Sequence, residues 1–233
     1  MTYNIDSKTY AKLYAKYLHN DRTKEMVNLA GNLKGKRVLD LCCGGGRLTQ
    51  EVLKQKTKQA LSIDASFDML QDNFDPNDIA ILSVFNAPWN PKKYCCGCGT
   101  VKYALTDLKN KSLDVIFCQQ AINYWFYPEH AEKIKKVLAP KGMFIFNTFN
   151  VKPSVIPRTK TYYYEKTGRN YTEVSWLVGD MVKHVQIAQG MDPHFTEFRW
   201  IPPEEFKRAF KRAGFKVTVQ TDGATDIYMC RKG

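Results

Sequence analysis

The sequence predicts an α/β protein: a doubly wound, mostly parallel sheet with an antiparallel β cap inserted after its fifth strand. Three observations carry this. Val38 to Leu41 is an apolar run, followed at once by Gly44, Gly45 and Gly46, with a helix free to begin near Arg47; strand, glycine turn and helix in that order open a nucleotide-binding α/β unit. Apolar strands then alternate with helical patterns through residue 150, as a parallel sheet requires. Residues 151–200 change character, with aromatic and β-branched residues crowded together and partly alternating, as in Val182-Lys183-His184-Val185-Gln186-Ile187. The whole reads as one domain, 1–233: leading helices over 1–35, a core over 36–150, the cap over 151–200, and a closing helix and β hairpin over 201–233.

Residues 7–19 place Tyr10, Leu13, Tyr14, Tyr17 and Leu18 on one helical stripe. A second helix runs from Asp21, a capping residue, to Ala30, and Gly31 ends it. The first unit is strand 37–41, helix 47–56 and strand 60–64, which ends on Asp64. Helix 66–74 stops at the turn Asp75-Pro76-Asn77-Asp78. Ile79 to Phe85 reads as the third strand, ending on Asn86-Ala87; the alternative makes Val101–Leu105 the third strand and Asp107 its terminal acid. Residues 88–104 read as an insertion, with Tyr94-Cys95-Cys96-Gly97-Cys98 at a glycine-containing hairpin tip. Strand four is Leu113–Cys118. Helix 129–138 turns Ile134, Val137 and Leu138 inward and stops at Pro140-Lys141-Gly142, before strand five, Met143–Thr148. Pro202-Pro203-Glu204-Glu205 opens the last helix, with Phe206, Ala209 and Phe210 inward and Gly214 as its stop. Asp222-Gly223 joins the closing antiparallel pair.

At this level Val38-Leu39-Asp40-Leu41-Cys42-Cys43-Gly44-Gly45-Gly46 resembles the first motif of the class I S-adenosylmethionine-dependent methyltransferases, and Asp64-Ala65-Ser66-Phe67-Asp68-Met69-Leu70 resembles their second. The family usually has Gly or Ala where Cys42 stands; Cys is also compact. Ser112-Leu113-Asp114-Val115-Ile116 and Leu138-Ala139-Pro140-Lys141-Gly142 continue the likeness. The resemblance implies a Rossmann-like sheet of seven strands and S-adenosylmethionine as cofactor. It places Asp40, Cys42, Gly44, Gly46, Asp64, Ala65, Met69 and Gln119 around that cofactor, with Asp64 accepting the ribose hydroxyls. Asn86 and Ala87 would meet the adenine, Asn86 through its carbonyl oxygen. The leading helix would fold over the cofactor as a lid, with Tyr14 and Arg22 near its carboxylate.

Methyl transfer is a direct displacement, so alignment and exclusion of water matter more than a covalent nucleophile. Tyr124 and Trp125, after strand four, are candidate catalytic residues at the carboxyl edge, where open α/β sheets bind ligands. His184 and His194 are candidate general bases, and the catalytic set is Tyr124, Trp125 and His194. The cap and the tail Arg199-Trp200-Ile201-Pro202-Pro203-Glu204-Glu205-Phe206 resemble small-molecule members of the family. The expectation is methylation of a nitrogen or oxygen on a small molecule.

The formal charge of +12 permits nucleic acid as a partner, but the lysines are scattered and no N-P-P-Y type loop follows strand four. An RNA methyltransferase and a non-catalytic scaffold that keeps the fold are the alternatives. A dinucleotide oxidoreductase is disfavoured because Arg47-Leu48-Thr49 gives no last glycine of G-x-G-x-x-G. No metal is expected, since Cys95 and Cys98 have no second ligand pair. No apolar run reaches the ~20 residues of a membrane span, and seven cysteines without a secretory signal suggest a reduced, cytoplasmic setting.

Overall fold

A computed structural model describes residues 22–71, 79–81, 94–164 and 169–233. Tyr10, Tyr14, Asn86 and Ala87 lie outside the described residues.

Strands β1 (Arg37–Leu41), β2 (Gln59–Asp64), β3 (Ile79–Ile81), β4 (Tyr94–Cys98), β5 (Leu113–Cys118), β6 (Leu138–Phe149), β11 (Phe215–Asp222) and β12 (Thr225–Lys232) form one sheet. Its order is β11-β12-β6-β5-β1-β2-β4-β3. β12 runs antiparallel to both β6 and β11, and the other recorded pairings are parallel. The seven strands expected from sequence are present, the third as the short edge strand β3, and β4 is an eighth, between β2 and β3.

The sheet is covered on both faces, which is why its strands are apolar on both sides. On one side Val38, Ala60, Val115, Phe117 and Ile145 pack with Met26, Val27, Leu48 and Val52 of α1 (Thr23–Ala30) and α2 (Arg47–Leu53). On the other, Leu39, Leu41, Ile116, Phe144 and Phe146 meet α4 (Val101–Asp107), α5 (Pro128–Val137) and α6 (Pro203–Arg212). The short α3 (Phe67–Gln71) follows β2. Chain order reverses between β1 and β5, so their carboxyl ends flank the crevice where such sheets hold ligands.

The region 88–104 is corrected. Tyr94–Cys98 is no hairpin tip; it pairs in parallel with β2 and fills the slot between β2 and β3. Cys96 is fully buried there, and compact Cys and Gly side chains suit that slot. Val101–Asp107 is a helix, so the alternative third strand is excluded as well.

After β6 the chain builds the cap: β7 (Arg158–Tyr164), β8 (Arg169–Val178), β9 (Met181–Ala188) and β10 (His194–Arg199), antiparallel throughout. Leu177, Val182 and Phe198 on its inner face, with Trp200 beyond it, pack against Tyr124.

Candidate active site

The site grows from the turn after β1. Cys42 and Gly44 both have positive φ, +59° and +50°, which folds the chain back so that the Cys43 N–H donates to the Ile63 carbonyl (3.0 Å). A Cβ on Gly44 would come within 3.1 Å of Met69 Cε. Gly46, φ +72°, caps α2.

Asp64 closes this turn from the end of β2. One carboxylate oxygen accepts the Gly44 N–H and the other the Ser66 N–H, each at 2.8 Å. A carboxylate offers about four acceptor sites, so beside these backbone N–H groups Asp64 keeps capacity for a ligand's hydroxyl. Burial raises the Asp64 carboxyl above its usual range, opposed by backbone N–H groups of Ser66, Gly44 and Ala65. Beneath the turn, Asp40 Oδ2 accepts from Thr49 Oγ1 (2.6 Å), and Thr49 meets Ser62 Oγ at 2.7 Å. Asp40 Oδ1 is buried without a hydrogen-bond partner among the described residues. Burial pushes its carboxyl up to about 7 against the Thr49 hydrogen bonds, with a small contribution from Asp64.

The far wall starts at the end of β5. Gln120 also adopts a left-handed conformation, φ +56°, and its N–H donates to Asn147 Oδ1 at 2.8 Å. Thr23 Oγ1, in the first turn of α1, donates to Gln119 Oε1 at 3.0 Å. A 3-10 turn, Ile122–Tyr124, follows. There Asn123 accepts from Thr148 and donates to the Arg199 carbonyl at 3.1 Å, which ties the wall to the cap. The Arg199 guanidinium donates to the Phe126 carbonyl (2.9 Å), lies 3.5 Å from Glu205 and stacks over Tyr127 at 4.7 Å. His130 Nδ1 accepts the Tyr127 N–H at 2.9 Å, which leaves the imidazole proton on Nε2 in the neutral ring. Burial lowers the pKa of His130 and keeps that neutral form favoured.

Both walls line one cavity of about 690 Å³, an ordinary size for a small-molecule site. Asp40, Cys42, Gly44, Asp64 and Met69 form one end; Gln119, Gln120, Tyr124, Trp125, Tyr127 and His130 form the other; Thr196 of the cap closes over it. Burial raises the Tyr124 phenol above its usual range, opposed by a hydrogen bond with Thr196.

A methyltransferase-domain family model matches residues 12–220. The chain belongs to that family. Among curated protein sequences none matches this methyltransferase. Solved structures share its fold. An S-adenosylmethionine-dependent methyltransferase from Clostridium acetobutylicum has a TM-score of 0.66 at 19% identity, over 96% of this chain and 98% of the other. CalS10 from Micromonospora echinaspora, an amino pentose methyltransferase with S-adenosylmethionine bound, has a TM-score of 0.67 at 16% identity, over 96% of each chain. The sugar N-methyltransferase KedS8 from Streptoalloteichus has 0.63 at 13% identity, over 95% of this chain and 92% of the other.

Of the residues expected from sequence, the methyltransferase cavity brings together Asp40, Cys42, Gly44, Asp64, Ala65, Met69, Gln119, Tyr124 and Trp125. Gly46 acts through the backbone, as the cap of α2. Two residues need correction because neither lines the cavity. Arg22 pairs with Glu25 and Asp222, so its guanidinium is held at the β11 end of the molecule. His194 is buried within the cap, on the strand position beside Gln186. His184 lies 3.9 Å from Glu173, also behind the wall. Sequence reasoning missed Thr100, Val101 and Lys102, which line the cavity at the start of α4, and His130. The first three follow directly from Tyr94–Cys98 being a strand. The signal for His130 was Pro128, which sets the first helical turn and so fixes where residue 130 points.

Among the described residues no helix is long and apolar enough to cross a membrane, and no three metal-ligating side chains converge.

Proposed function

We propose that the protein transfers a methyl group from S-adenosylmethionine to a nitrogen or oxygen of a small-molecule acceptor, held between the end of β5 and the cap. One observation carries the reading: a single cavity joins the Gly44–Asp64 turn to the aromatic wall Tyr124–Tyr127 under Thr196. The residues fit the cofactor. Gly44 leaves a cradle that a Cβ would crowd, Asp64 keeps acceptor capacity beside its backbone partners, and Asp40 Oδ1 is buried with no partner among the described residues. The cofactor supplies a methyl group on a sulfonium, activated for direct attack by the acceptor.

The chain's own work is binding, orientation and exclusion of water. Asp64 would hold the ribose, and Met69, Thr100 and Val101 the rest of the nucleoside end. Tyr124 and Trp125 would orient the acceptor, and the cap would keep water out; such alignment is worth ~7–11 kcal/mol in intramolecular models. The amino pentose and sugar methyltransferases among the structural neighbours support a compact polar acceptor.

The test has two parts. Calorimetry with S-adenosylmethionine should show binding that weakens in Asp64→Ala. Screening amines, phenols, sugars and bulk RNA with labelled donor should then find turnover on a small molecule. Steeply salt-dependent turnover on RNA alone would overturn the acceptor assignment.

A further inference from the structure

Cations that are scattered along the sequence are gathered by the topology. β1, β2, β5 and β6 run parallel and begin along one edge of the large sheet, the edge opposite the cavity. β12 is antiparallel to β6 and ends at that edge, and β11 begins there beside it. The segments entering these strands are 31–37, 54–58, 108–112, 135–141 and 211–216. Together with Arg231 and Lys232 they hold sixteen of the chain's 35 Lys and Arg residues and none of its 23 Asp and Glu. Neighbouring segments touch. The Lys58 N–H donates to the Lys36 carbonyl and the Lys111 N–H to the Lys136 carbonyl, each at 2.9 Å. Lys232 Nζ donates to the Lys135 and Leu138 carbonyls at 2.6 and 2.5 Å. Burial lowers the pKa of the Lys232 amine, and the nearby charges of Lys111 and Lys135 push it the same way. Like charges are thus held together here against their own repulsion.

Little on the protein compensates this rim. At its margin Asp114 holds Arg37, Glu51 holds Lys54, and Asp107 ends α4. Among the described residues no ion pair holds Lys34, Lys36, Lys58, Lys136 or Lys141. Cations are favoured at helix carboxyl ends, which accounts for Lys135, Lys136, Lys211 and Arg212 in the last turns of α5 and α6. It does not account for Lys34, Lys36, Lys58, Lys141 or Lys216, which lie beyond the helices.

We propose that this rim binds the phosphate backbone of a nucleic acid, without reading its bases. Six adjacent strands, β11-β12-β6-β5-β1-β2, carry it. At ~4.8 Å between strands it is roughly 24 Å long. A duplex bears one phosphate charge per ~1.7 Å of its axis, so several face such a rim at once. Protein–protein interfaces are depleted in lysine, whereas interfaces with nucleic acid are strongly positive. Among the described residues none of the exposed large hydrophobic side chains lies in the rim segments, so a membrane would find nothing there to insert. The five residues of β1 separate rim from cavity by roughly 17 Å. A nucleic acid bound at the rim is therefore not presented for methylation, and the inference is independent of which acceptor the cavity takes.

Fluorescence anisotropy of a short labelled DNA duplex tests this on the full chain, without S-adenosylmethionine present. Affinity should fall roughly a hundredfold between about 50 and 200 mM salt, as expected for about four neutralised phosphates. Lys34→Glu combined with Lys58→Glu, both exposed side chains, should weaken binding about tenfold or more and lower the salt slope by about two. Circular dichroism and S-adenosylmethionine affinity should stay unchanged in that variant. Lys152→Glu combined with Lys160→Glu, after β6 and on β7, changes the net charge equally and should leave duplex affinity within about twofold. Absence of binding at low salt overturns the proposal, as does equal weakening in both double variants. So does tighter binding to polyglutamate or to phosphatidylserine vesicles than to the duplex.

Discussion

The two sheets bury different mixtures of side chain. In the eight-stranded sheet the covered positions are Leu39, Ile116, Phe144 and Phe146 on one face and Val38, Val115 and Ile145 on the other. In the cap the covered positions mix Thr196, Gln186 and His194 with Leu177, Val182 and Phe198, while Phe195 and Ile187 face outward. Burial of apolar area accounts for the first sheet by itself, at roughly 25 cal/mol per Å². It does not account for the second, whose buried polar groups need partners. The large sheet is built for stability, and the cap is built for what lies against it.

The sharpest way to break this comparison is in stability. Phe146 is fully buried and stacks on Tyr228 at 4.6 Å. Phe146→Ala should cost ~3–5 kcal/mol, and Phe195→Ala in the dilute protein within about 0.5 kcal/mol. Denaturant unfolding of both variants checks this, and similar losses would erase the distinction.

The next effect is pH dependence at the donor end. The Asp40 carboxyl is raised to about 7 in the folded protein, so its contribution is fully present below its unfolded value near 3.9 and is lost as pH rises through 7. Asp40→Asn keeps an acceptor for Thr49 and cannot ionise. Its stability should not fall over that window, and above pH 7 it should exceed wild type by roughly 2–4 kcal/mol. Parallel pH profiles from thermal unfolding would refute the assignment.

Smaller again is Asp64→Ala, which should weaken S-adenosylmethionine ten- to a hundredfold, about 1–3 kcal/mol. Calorimetry reads it, and unchanged affinity would remove Asp64 from the site. The smallest donor effect is expected at the far wall. Trp125→Phe should leave donor affinity within about twofold while turnover of an acceptor falls about tenfold or more. A variant with normal turnover would place the acceptor elsewhere.

The proposed donor half of the candidate site was legible from sequence as a cluster of cavity-lining residues, because backbone geometry demands particular residues there. Positive φ calls for Gly44 and Gly46, and a carboxylate at the end of β2 must be Asp64. The same logic failed for Tyr94–Cys98. A strand of Cys and Gly has no β-branched signature, and the apolar run Ile79–Phe85 competed for its place. That error hid Thr100, Val101 and Lys102. The acceptor half was legible only as a neighbourhood. Tyr124 and Trp125 were found from the end of a strand, but His194, on the same face of β10 as the cavity-lining Thr196, does not line the cavity, because alternation does not say how far along a strand a cavity reaches.

The left-handed backbone at Cys42 and Gln120 bears on how freely these positions can drift. At φ +59° and +56° a side chain costs roughly 1–2 kcal/mol that glycine does not pay. Under random mutagenesis with selection for folding alone, both positions should accept glycine and reject valine, isoleucine and threonine. A bias toward glycine at 120 as well as 42 would show that the far wall, like the donor turn, is constrained by its backbone before its side chains.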